Sequence, residues 1–588
     1  MERYPYQDSM LDVHDRVKDL ISRMTIEEKT RQLTCTMVTG MPDAKEFSGG
    51  MGEVIVFAGP LAAKDTAALI RNVQDMVIAE NRFGIPALFH AEALAGPMVA
   101  DCGVFPTSIS LGASFDPNEV HKMADRIREQ MIDIGIRQAL SPVLDPARDF
   151  RWGRTSEDYG SDPVLISEMA CAYVSGLQGA EMRNGVAATA KHFIGYSMPE
   201  GGINGARAAT DWRDIRENFA KPFEAAIRKA KLASVMTSYN EFNGELVSGS
   251  RKLLTGLLRE DLGFEGLVVS DYTAIQSLDD DHKEAGIRAL RAGLDVELPN
   301  PACYGEALAE AVREGKVEEE LVNRSLYRML KLKFELGLFD HPYGEFREMD
   351  NSDNDRLAFE IARKSMTLTK NNGILPITDK TKKIAVIGPT GNNLIMLNGS
   401  YSFPACEEMF LALMNKGGVG MEGVDIEGDA FVVSEGKNRE QADYTEILDE
   451  HIRNAHEGAK TVFEALKETF AAATYTKGCH VVRDDEWDVK AAVEAAKDAD
   501  IVIMTVGGKI GMMVECTAGE GRDNVDIGLP GRQAELLRHV YEANKNMVIV
   551  HTDNKPLIDP FCYEHVPAIL EAWLPGVYGG NAIAETLI

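Results

Sequence analysis

Several features that define special classes of protein are missing from this 588-residue chain. Its longest apolar runs fall far short of the ~18 residues of a membrane-spanning helix, so no membrane partner is expected. The N-terminal stretch MERYPYQDSMLDVHDRVKDL lacks the apolar core of a signal peptide, which makes a cytoplasmic location the default expectation. The eight cysteines are scattered without a Cys-x-x-Cys pair, which argues against a disulfide framework or a zinc site.

Basic side chains and nucleotide-binding motifs are also scarce. The 62 Lys and Arg residues face 92 Asp and Glu residues, and the resulting net charge of −30 would repel a nucleic acid. The stretch AVIGPTG (385–391) lacks the Gly-x-Gly-x-x-Gly spacing, so it predicts a simple strand-to-helix turn and leaves a nucleotide-dependent oxidoreductase with little support. Without a phosphate loop, a metal-ligand cluster or a Gly-x-Ser-x-Gly elbow, we predict no cofactor and no metal.

The first half of the chain alternates short apolar runs with amphipathic segments. Such alternation is typical of parallel βα units, and seven or eight of them predict a TIM-like (β/α)8 barrel over residues 1–337. The predicted strands are 52–59, 85–93, 137–149, 186–195, 232–242, 266–275 and 293–299.

A second alternating unit follows a polar, turn-rich segment, 338–358, which we interpret as a linker. Residues 359–588 are predicted to form an α/β sandwich domain. Its predicted strands are 383–391, 500–508, 546–554 and 568–576, and the acidic segment at about 402–456 is predicted to be an insertion.

A bare carboxylate, Asp271, follows the apolar run in VVSDYTAI (268–275). A lone Asp at a strand end is usually a turn-former or a helix cap. Here, however, several predicted strands end in chemically capable side chains, and the C-terminal strand ends of a barrel form one rim that carries the active site. The repeated pattern therefore favours a functional role; it comprises Glu92, Asp145, Arg148, Lys191, His192, Tyr239, Asn240 and Asp271.

A second candidate carboxylate lies in the loop VECTAGEGRDNVDIGLPGRQ (514–533), where Gly519 and Gly521 flank Glu520. Most acidic loops of this kind are solvated surface loops. The alternative is that the second domain delivers Glu520 to the barrel rim. Paired carboxylates suit glycoside hydrolysis, in which one attacks the anomeric carbon and the other protonates the leaving oxygen.

The chain also resembles glycoside hydrolase family 3, the β-glucosidase and β-xylosidase group, from about residue 17 to its end. The resemblance implies a TIM-like barrel followed by an α/β sandwich, and retention of anomeric configuration through a covalent glycosyl-enzyme. The matching stretches are ISRMTIEEKTRQL, GIPALFHAEALAG, FPTSISLGASFDP, SPVLDPARDFRWGRTSEDYGSDP, ATAKHFIGYSMPEGG, VMTSYNEFNGE, LLTGLLREDLGFEGLVVSDYTAI, AGLDVELP, LKFELGLFDHPY, SMTLTKNNGILPI and EAWLPGVYGGNAIAETLI.

The resemblance implies roles for individual residues. Asp271 falls on the family nucleophile, and Glu520 falls on the acid/base, although Glu515 in the same variable loop stays a rival. The residues implied or expected to contact the sugar are Glu92, Arg154, Lys191, His192, Met236, Tyr239 and Tyr272.

The sequence departs from the family pattern in three places. Ile203 stands where many members have an Arg in EGGRN, and Arg207 is the candidate substitute. Glu92 is one methylene longer than the Asp common in glucosidases, which would crowd the C5 hydroxymethyl group. The family usually continues beyond the position of Ile588, so the sandwich is expected to be incomplete or completed by another chain; a homo-oligomer is the other partner to consider.

We therefore predict a retaining exo-acting β-glycosidase that hydrolyses terminal non-reducing β-D-glucosyl or β-D-xylosyl residues. Its partner would be a β-linked oligosaccharide or glycoside. The alternative is a non-catalytic carbohydrate-binding protein on the same fold, and turnover of an aryl β-glycoside separates the two. The chain lacks the His/Asp arrangement of the N-acetylglucosaminidase branch, which disfavours that substrate.

Overall fold

The computed structural model describes residues 4–57, 59–414, 443–484, 486–512 and 514–588. Its first sheet has seven strands, in which every neighbouring pair is parallel and the spatial order is β1-β2-β3-β4-β5-β6-β9. A separate antiparallel hairpin, β7–β8, follows β6. The bounds are β1 Cys35–Val38, β2 Glu53–Val56, β3 Leu88–Ala91, β4 Gln138–Ala139, β5 Ala187–Phe193, β6 Ser234–Thr237, β7 Glu241–Phe242, β8 Glu245–Leu246 and β9 Leu267–Val269.

The two edges of this sheet approach each other, which confirms the predicted barrel class. Isolated parallel bridges join Val269 to Val296 and Thr34 to Glu297, next to the two edge strands. The last of the seven predicted strands, 293–299, therefore contributes these bridges and no regular strand of its own. The sequence also predicted one strand too few at the start of the barrel, because β1 precedes 52–59, the first strand in the prediction.

The central barrel strands are buried on both faces, as is usual for parallel sheets covered by helices. All seven residues of β5 and all four of β6 are buried. Several surrounding helices begin and end sharply: Asp162 caps the helix that starts at Pro163, and Gly135 (φ +100°) ends the one that starts at Pro117.

The helices follow the strands in both halves of the chain. The α-helices are α1 Val13–Arg23, α2 Ile26–Arg31, α3 Ala63–Ala79, α4 Ser108–Ser114, α5 Pro117–Ile134, α6 Pro163–Gln178, α7 Trp212–Asp214, α8 Ala220–Ala230, α9 His282–Ala292, α10 Glu306–Arg313, α11 Glu319–Glu335, α12 Ser352–Ser365, α13 Phe403–Met414, α14 Thr445–Ala455, α15 Val462–Thr469, α16 Val489–Asp498, α17 Gln533–Ala543, α18 Pro560–His565 and α19 Gly579–Leu587. Two π-helical segments are Ile215–Phe219 and Lys252–Asp261. None of the helices in the described part of the chain is long and apolar enough to cross a membrane.

The second sheet has six strands in the order β10-β15-β14-β13-β11-β12. All neighbours are parallel except β10, which pairs antiparallel with β15 at one edge. The bounds are β10 Thr367–Asn371, β11 Ile384–Ile387, β12 Thr474–Thr476, β13 Ile501–Gly507, β14 Met547–Thr552 and β15 Ala568–Glu571. The four predicted strands of this domain correspond to β11, β13, β14 and β15.

The segment predicted to be a linker runs along the barrel surface. The Tyr343 hydroxyl donates to Asp75 at 2.5 Å, and Arg347 donates to both carboxylate oxygens of Asp133. Helix α12 begins before this segment ends. The predicted insertion at about 402–456 contains both α13 and α14, whereas its central part, 415–442, lies outside the described residues.

The two domains contact each other through the loops at the C-terminal ends of their strands. The Asn554 side chain donates to the Gly153 carbonyl at 3.0 Å, and the Thr155 hydroxyl donates to the Asn554 carbonyl at 3.0 Å. Asp523 accepts from the backbone N–H of Gly153 at 2.8 Å and from that of Asn204 at 2.6 Å. These bonds fix the loop around residue 520 against the barrel.

Candidate active site

Asp271 lies just beyond the end of β9 and is only 7% exposed. Its Oδ1 accepts from the Tyr272 backbone N–H at 2.7 Å, and its Oδ2 lies 3.7 Å from His192 Nε2. Burial, and after it the negative charge of Glu520, raise the pKa of Asp271 to about 7 against the opposing charges of Arg154 and Lys191.

His192 lies on β5 and faces Asp271 as a neutral imidazole. Asp145 Oδ2 accepts from the His192 backbone N–H at 3.1 Å and lies 2.8 Å from Nδ1. When ionised, Asp145 can only accept, so Nδ1 carries the proton and Nε2 presents a lone pair towards Asp271. Burial lowers the pKa of His192 well below its usual range, with help from Arg154 and Lys191. Burial likewise raises the pKa of Asp145 to about 7.

Arg154 bridges the two domains with its guanidinium fork. Its Nε and Nη2 donate to the two carboxylate oxygens of Glu157 at 2.9 and 2.7 Å. Its Nη1 donates to Glu520 Oε1 at 2.7 Å. The Arg154 side chain is 1% exposed, so this is a buried network in which a charge on the barrel positions a charge on the second domain.

Glu520 reaches the barrel on the loop after β13 and is 5% exposed. Its Oε2 accepts from the Tyr401 hydroxyl, and its Oε1 is held by Arg154. Gly519 adopts φ +150°, where a Cβ would overlap the Gly511 carbonyl oxygen. A Cβ on Gly153 of the barrel would overlap the Gly519 carbonyl oxygen, so the two loops approach too closely for any other residue.

Lys191 and Glu92 form a second ion pair of the site. Lys191 Nζ donates to both Glu92 carboxylate oxygens at 2.8 Å. The Lys191 Nζ also lies 4.9 Å from the centre of the Tyr401 ring, which it faces as a cation–π contact. The Lys191 side chain is 2% exposed and that of Glu92 is 16% exposed, so the carboxylate is the more accessible end of the pair.

The three remaining predicted contact residues also lie at this end of the barrel. Met236 is buried on β6, while Tyr239 and Tyr272 are half-buried. Burial raises the pKa of Tyr239, and the charges of Asp271 and then Glu520 raise it further. The Tyr239 phenol therefore keeps its proton.

Three side chains of this cluster were not predicted from the sequence. Tyr401 comes from the second domain, directly before the predicted insertion. Glu157 holds the second side of the Arg154 guanidinium. Tyr196 is fully buried, with its ring 4.9 Å from that of His192 and 5.9 Å from that of Tyr239. Its position just after the Lys-His pair was the one signal that could have revealed it; Tyr401 had none.

Two other candidates lie apart from the cluster. Glu515 has a 27% exposed side chain and pairs with Arg483 at 3.8 Å. Arg207, the suggested substitute for the missing family Arg, pairs with Glu200 at 3.0 Å on the surface. Ile203 is 61% exposed and packs back over Gly201. Within the described ranges, no three His, Cys, Asp or Glu side chains are grouped in a way that could hold a metal.

The arrangement supplies two buried carboxylates from different domains, with cations and phenols around them. Such a site can hold a polyhydroxylated ligand by hydrogen bonds to both donors and acceptors. It can also provide an anionic nucleophile and a separate proton-transfer group, the two functions that displacement at an acetal carbon requires.

Comparisons with known proteins agree with this chemistry. The family model described as "Glycosyl hydrolase family 3 N terminal domain" matches residues 25–332. The model described as "Glycosyl hydrolase family 3 C-terminal domain" matches residues 366–588.

Individual relatives are similar over most of the chain. A β-xylosidase of Formosa agariphila is 30% identical over 537 residues, which cover 87% of this chain and 68% of the relative. A periplasmic β-glucosidase of Salmonella typhimurium is 29% identical over 595 residues, which cover 97% and 72%. Among solved structures, a β-glucosidase from Erythrobacter marinus has a TM-score of 0.84 at 30% identity, covering 99% of this chain and 77% of its own.

Proposed function

Because the chain belongs to glycoside hydrolase family 3, we propose that it is a retaining, exo-acting β-glycosidase. It hydrolyses terminal non-reducing β-D-glucosyl or β-D-xylosyl residues through a covalent glycosyl-enzyme. Relatives named β-xylosidase and β-glucosidase support both sugars. A carbohydrate-binding protein without catalysis is not favoured, since both carboxylates required for turnover are present and buried.

The observation that carries this proposal is the contact between Arg154 and Glu520. It is a 2.7 Å ion pair between the domains, and it brings a carboxylate of the second domain to the rim where Asp271 lies. Both carboxylates are less than a tenth exposed. A pair of carboxylates so enclosed is expensive to bury, which argues for a function that needs them.

In the first step, the Asp271 carboxylate attacks the anomeric carbon while the bond to the leaving oxygen breaks. Glu520 donates a proton to that oxygen, so the departing alcohol leaves neutral. In the second step, Glu520 removes a proton from water, whose oxygen attacks the same carbon. The ester bond to Asp271 then breaks, and the sugar is released with its original anomeric configuration.

The remaining side chains supply sugar contacts. Lys191 donates and Glu92 accepts, so together they suit adjacent hydroxyl groups of the sugar. Neutral His192 offers its Nε2 as an acceptor close to Asp271. The protonated Tyr239 phenol can donate to Asp271 and orient the attacking oxygen.

The test is a panel of 4-nitrophenyl glycosides assayed with the purified full chain. We expect turnover of the β-D-xyloside, the β-D-glucoside or both, and none of the α-anomers. Proton NMR of the first product should show the β-anomer. A 2-deoxy-2-fluoro glycoside should label Asp271 in a peptide digest, and Asp271→Ala should abolish turnover. Label on another carboxylate, or an α-product, would contradict the proposal.

A further inference from the structure

A buried row of three hydrogen-bonded side chains, Glu53, His90 and Tyr272, lies inside the barrel beneath the site. The mechanism above does not use its Glu53–His90 pair. Glu53, the first residue of β2, is fully buried, and His90 on β3 is 1% exposed. Glu53 Oε2 lies 2.9 Å from His90 Nδ1, and His90 Nε2 lies 3.3 Å from the Tyr272 hydroxyl. Barrel interiors are normally filled by branched apolar residues, so a buried carboxylate–imidazole pair requires an explanation.

The donor and acceptor roles in this row follow from the atoms that each side chain offers. An ionised Glu53 can only accept, so His90 Nδ1 must carry the proton and donate it. His90 Nε2 then has a lone pair and accepts from the Tyr272 O–H. With its proton committed to His90, the Tyr272 oxygen can offer only lone pairs to any other partner.

The Tyr272 hydroxyl is placed to use those lone pairs in the active site. Tyr272 follows Asp271 directly and is half-buried, and its own backbone N–H donates to that carboxylate. Burial raises the pKa of Tyr272 well above its usual range, and the charges of Glu92 and Asp271 raise it further. The phenol therefore keeps its proton.

We infer that Glu53 and His90 are positioning residues that fix the Tyr272 hydroxyl as a hydrogen-bond acceptor for one hydroxyl group of the bound sugar. The inference rests on the proposed glycosidase function. It assigns the sugar an additional acceptor beside Glu92, whereas Lys191 supplies a donor. A purely structural Glu53–His90 pair would stabilise the barrel and would be indifferent to which hydroxyl groups the substrate carries.

The decisive variant is Glu53→Gln, which keeps the side-chain shape. The amide NH2 can donate to His90 Nδ1, and in that arrangement the imidazole proton moves to Nε2 and Tyr272 turns its O–H towards the sugar. An acceptor thereby becomes a donor. Losing one neutral hydrogen bond predicts a roughly 3- to 10-fold fall in kcat/KM for the best aryl β-glycoside. A series of monodeoxy analogues should contain one member, the analogue without the contacted hydroxyl, for which the variant and the wild type are equal.

A double-mutant cycle separates positioning from structure. Tyr272→Phe should show the same loss on the parent substrate and the same indifference to one deoxy analogue. Adding Glu53→Gln to Tyr272→Phe should then cost nothing more. Tyr6→Phe is the matched control, because this buried tyrosine donates to the Phe83 carbonyl at 3.0 Å in a distant part of the barrel, and its kcat/KM should stay at the wild-type value.

Two results would overturn the inference while leaving the glycosidase proposal intact. One is an equal effect of Glu53→Gln in the Tyr272 and Phe backgrounds, which would make Glu53 a structural residue. The other is a Tyr272→Phe enzyme that discriminates among all deoxy analogues as the wild type does, a measurement that holds even if Glu53→Gln does not fold. Failure of the wild type to hydrolyse any aryl β-glycoside would instead refute the proposed function.

Discussion

Replacing Glu520 by Gln should shift the acidic limb of the pH–rate profile, because the charge of Glu520 raises the pKa of Asp271. The Asp271 pKa rises from an ordinary 3.8 to about 7, and at 1.36 kcal/mol per unit this difference of about 3 units is about 4 kcal/mol. Burial is the larger cause. The charge of Glu520 is the second, and at the ~5.5 Å separation typical of retaining enzymes an effective dielectric of ~20 makes it worth about 3 kcal/mol at most.

The sign follows from the requirement that Asp271 attack as an anion. Below its pKa the carboxyl group is protonated, so the wild-type kcat/KM should fall about tenfold per pH unit below about 7. Glu520→Gln removes a negative neighbour, and the same limb should move down by about 1–2 units. The assay is kcat/KM for a 2,4-dinitrophenyl β-glycoside, whose leaving group needs no acid, so the glycosylation step can be followed in both enzymes.

Two observations make this test specific. Burial also raises the pKa of Asp145 to about 7, but the charges that act on Asp145 come chiefly from Arg154, Glu157 and Asp271. If Glu520→Gln moves the acidic limb of the pH–rate profile, that limb therefore reports the titration of Asp271. Glu515→Gln is the matched control, since that carboxylate pairs with an arginine away from the site. An identical acidic limb in wild type and Glu520→Gln would refute the electrostatic reasoning.

Four further substitutions test the site. Glu520→Ala should slow alkyl and sugar glycosides by roughly 10²–10⁴-fold and spare activated aryl glycosides; azide should restore turnover and give a β-glycosyl azide by NMR, and no rescue would place the acid elsewhere. Glu92→Asp should shift the ratio of kcat/KM values from xyloside towards glucoside by at least about tenfold, because it removes one methylene near C6; an unchanged ratio would contradict this. Tyr401→Phe should lower kcat/KM about 3- to 10-fold for poor leaving groups only, because it deletes the hydroxyl bond to Glu520 and keeps the ring; equal loss on all substrates would contradict it. Gly153→Ala should act like a weaker Glu520→Ala, since its Cβ displaces the acid loop while fluoro-glycoside labelling of Asp271 continues.

The sequence predicted those parts of the site that lie at the ends of strands. Asp271, Lys191 and His192 each follow or end an apolar run, and parallel strands bring such ends to one rim. The same alternation of apolar runs and helical segments predicted the barrel. It missed β1 because Cys35–Val38 is a short run with only two buried residues, which carries little of the apolar pattern used to identify strands.

The contacts that could not be predicted are those between residues distant in the chain. Tyr401 and Glu520 meet over a sequence separation of 119, and Arg154 meets Glu520 over 366. No local periodicity encodes such contacts. The choice between Glu520 and Glu515 is of the same kind, since both stand in one Gly-rich loop and only the tertiary fold directs one of them to the barrel.

The contacts between the two domains therefore fix the position of Glu520 as firmly as its own loop does. Gly153 and Gly519 meet backbone to backbone, Asp523 is held by two barrel N–H groups, and Arg154 grips the Glu520 carboxylate itself. Without these contacts, the loop that carries Glu520 would move relative to the barrel by more than the few tenths of an ångström that proton transfer tolerates. Gly153, Gly519 and Arg154 thus fix the position of the Glu520 carboxylate, as the end of β9 fixes that of Asp271. The stretch RWGR therefore belongs to the site, although only its Arg154 side chain contacts one of the two catalytic carboxylates.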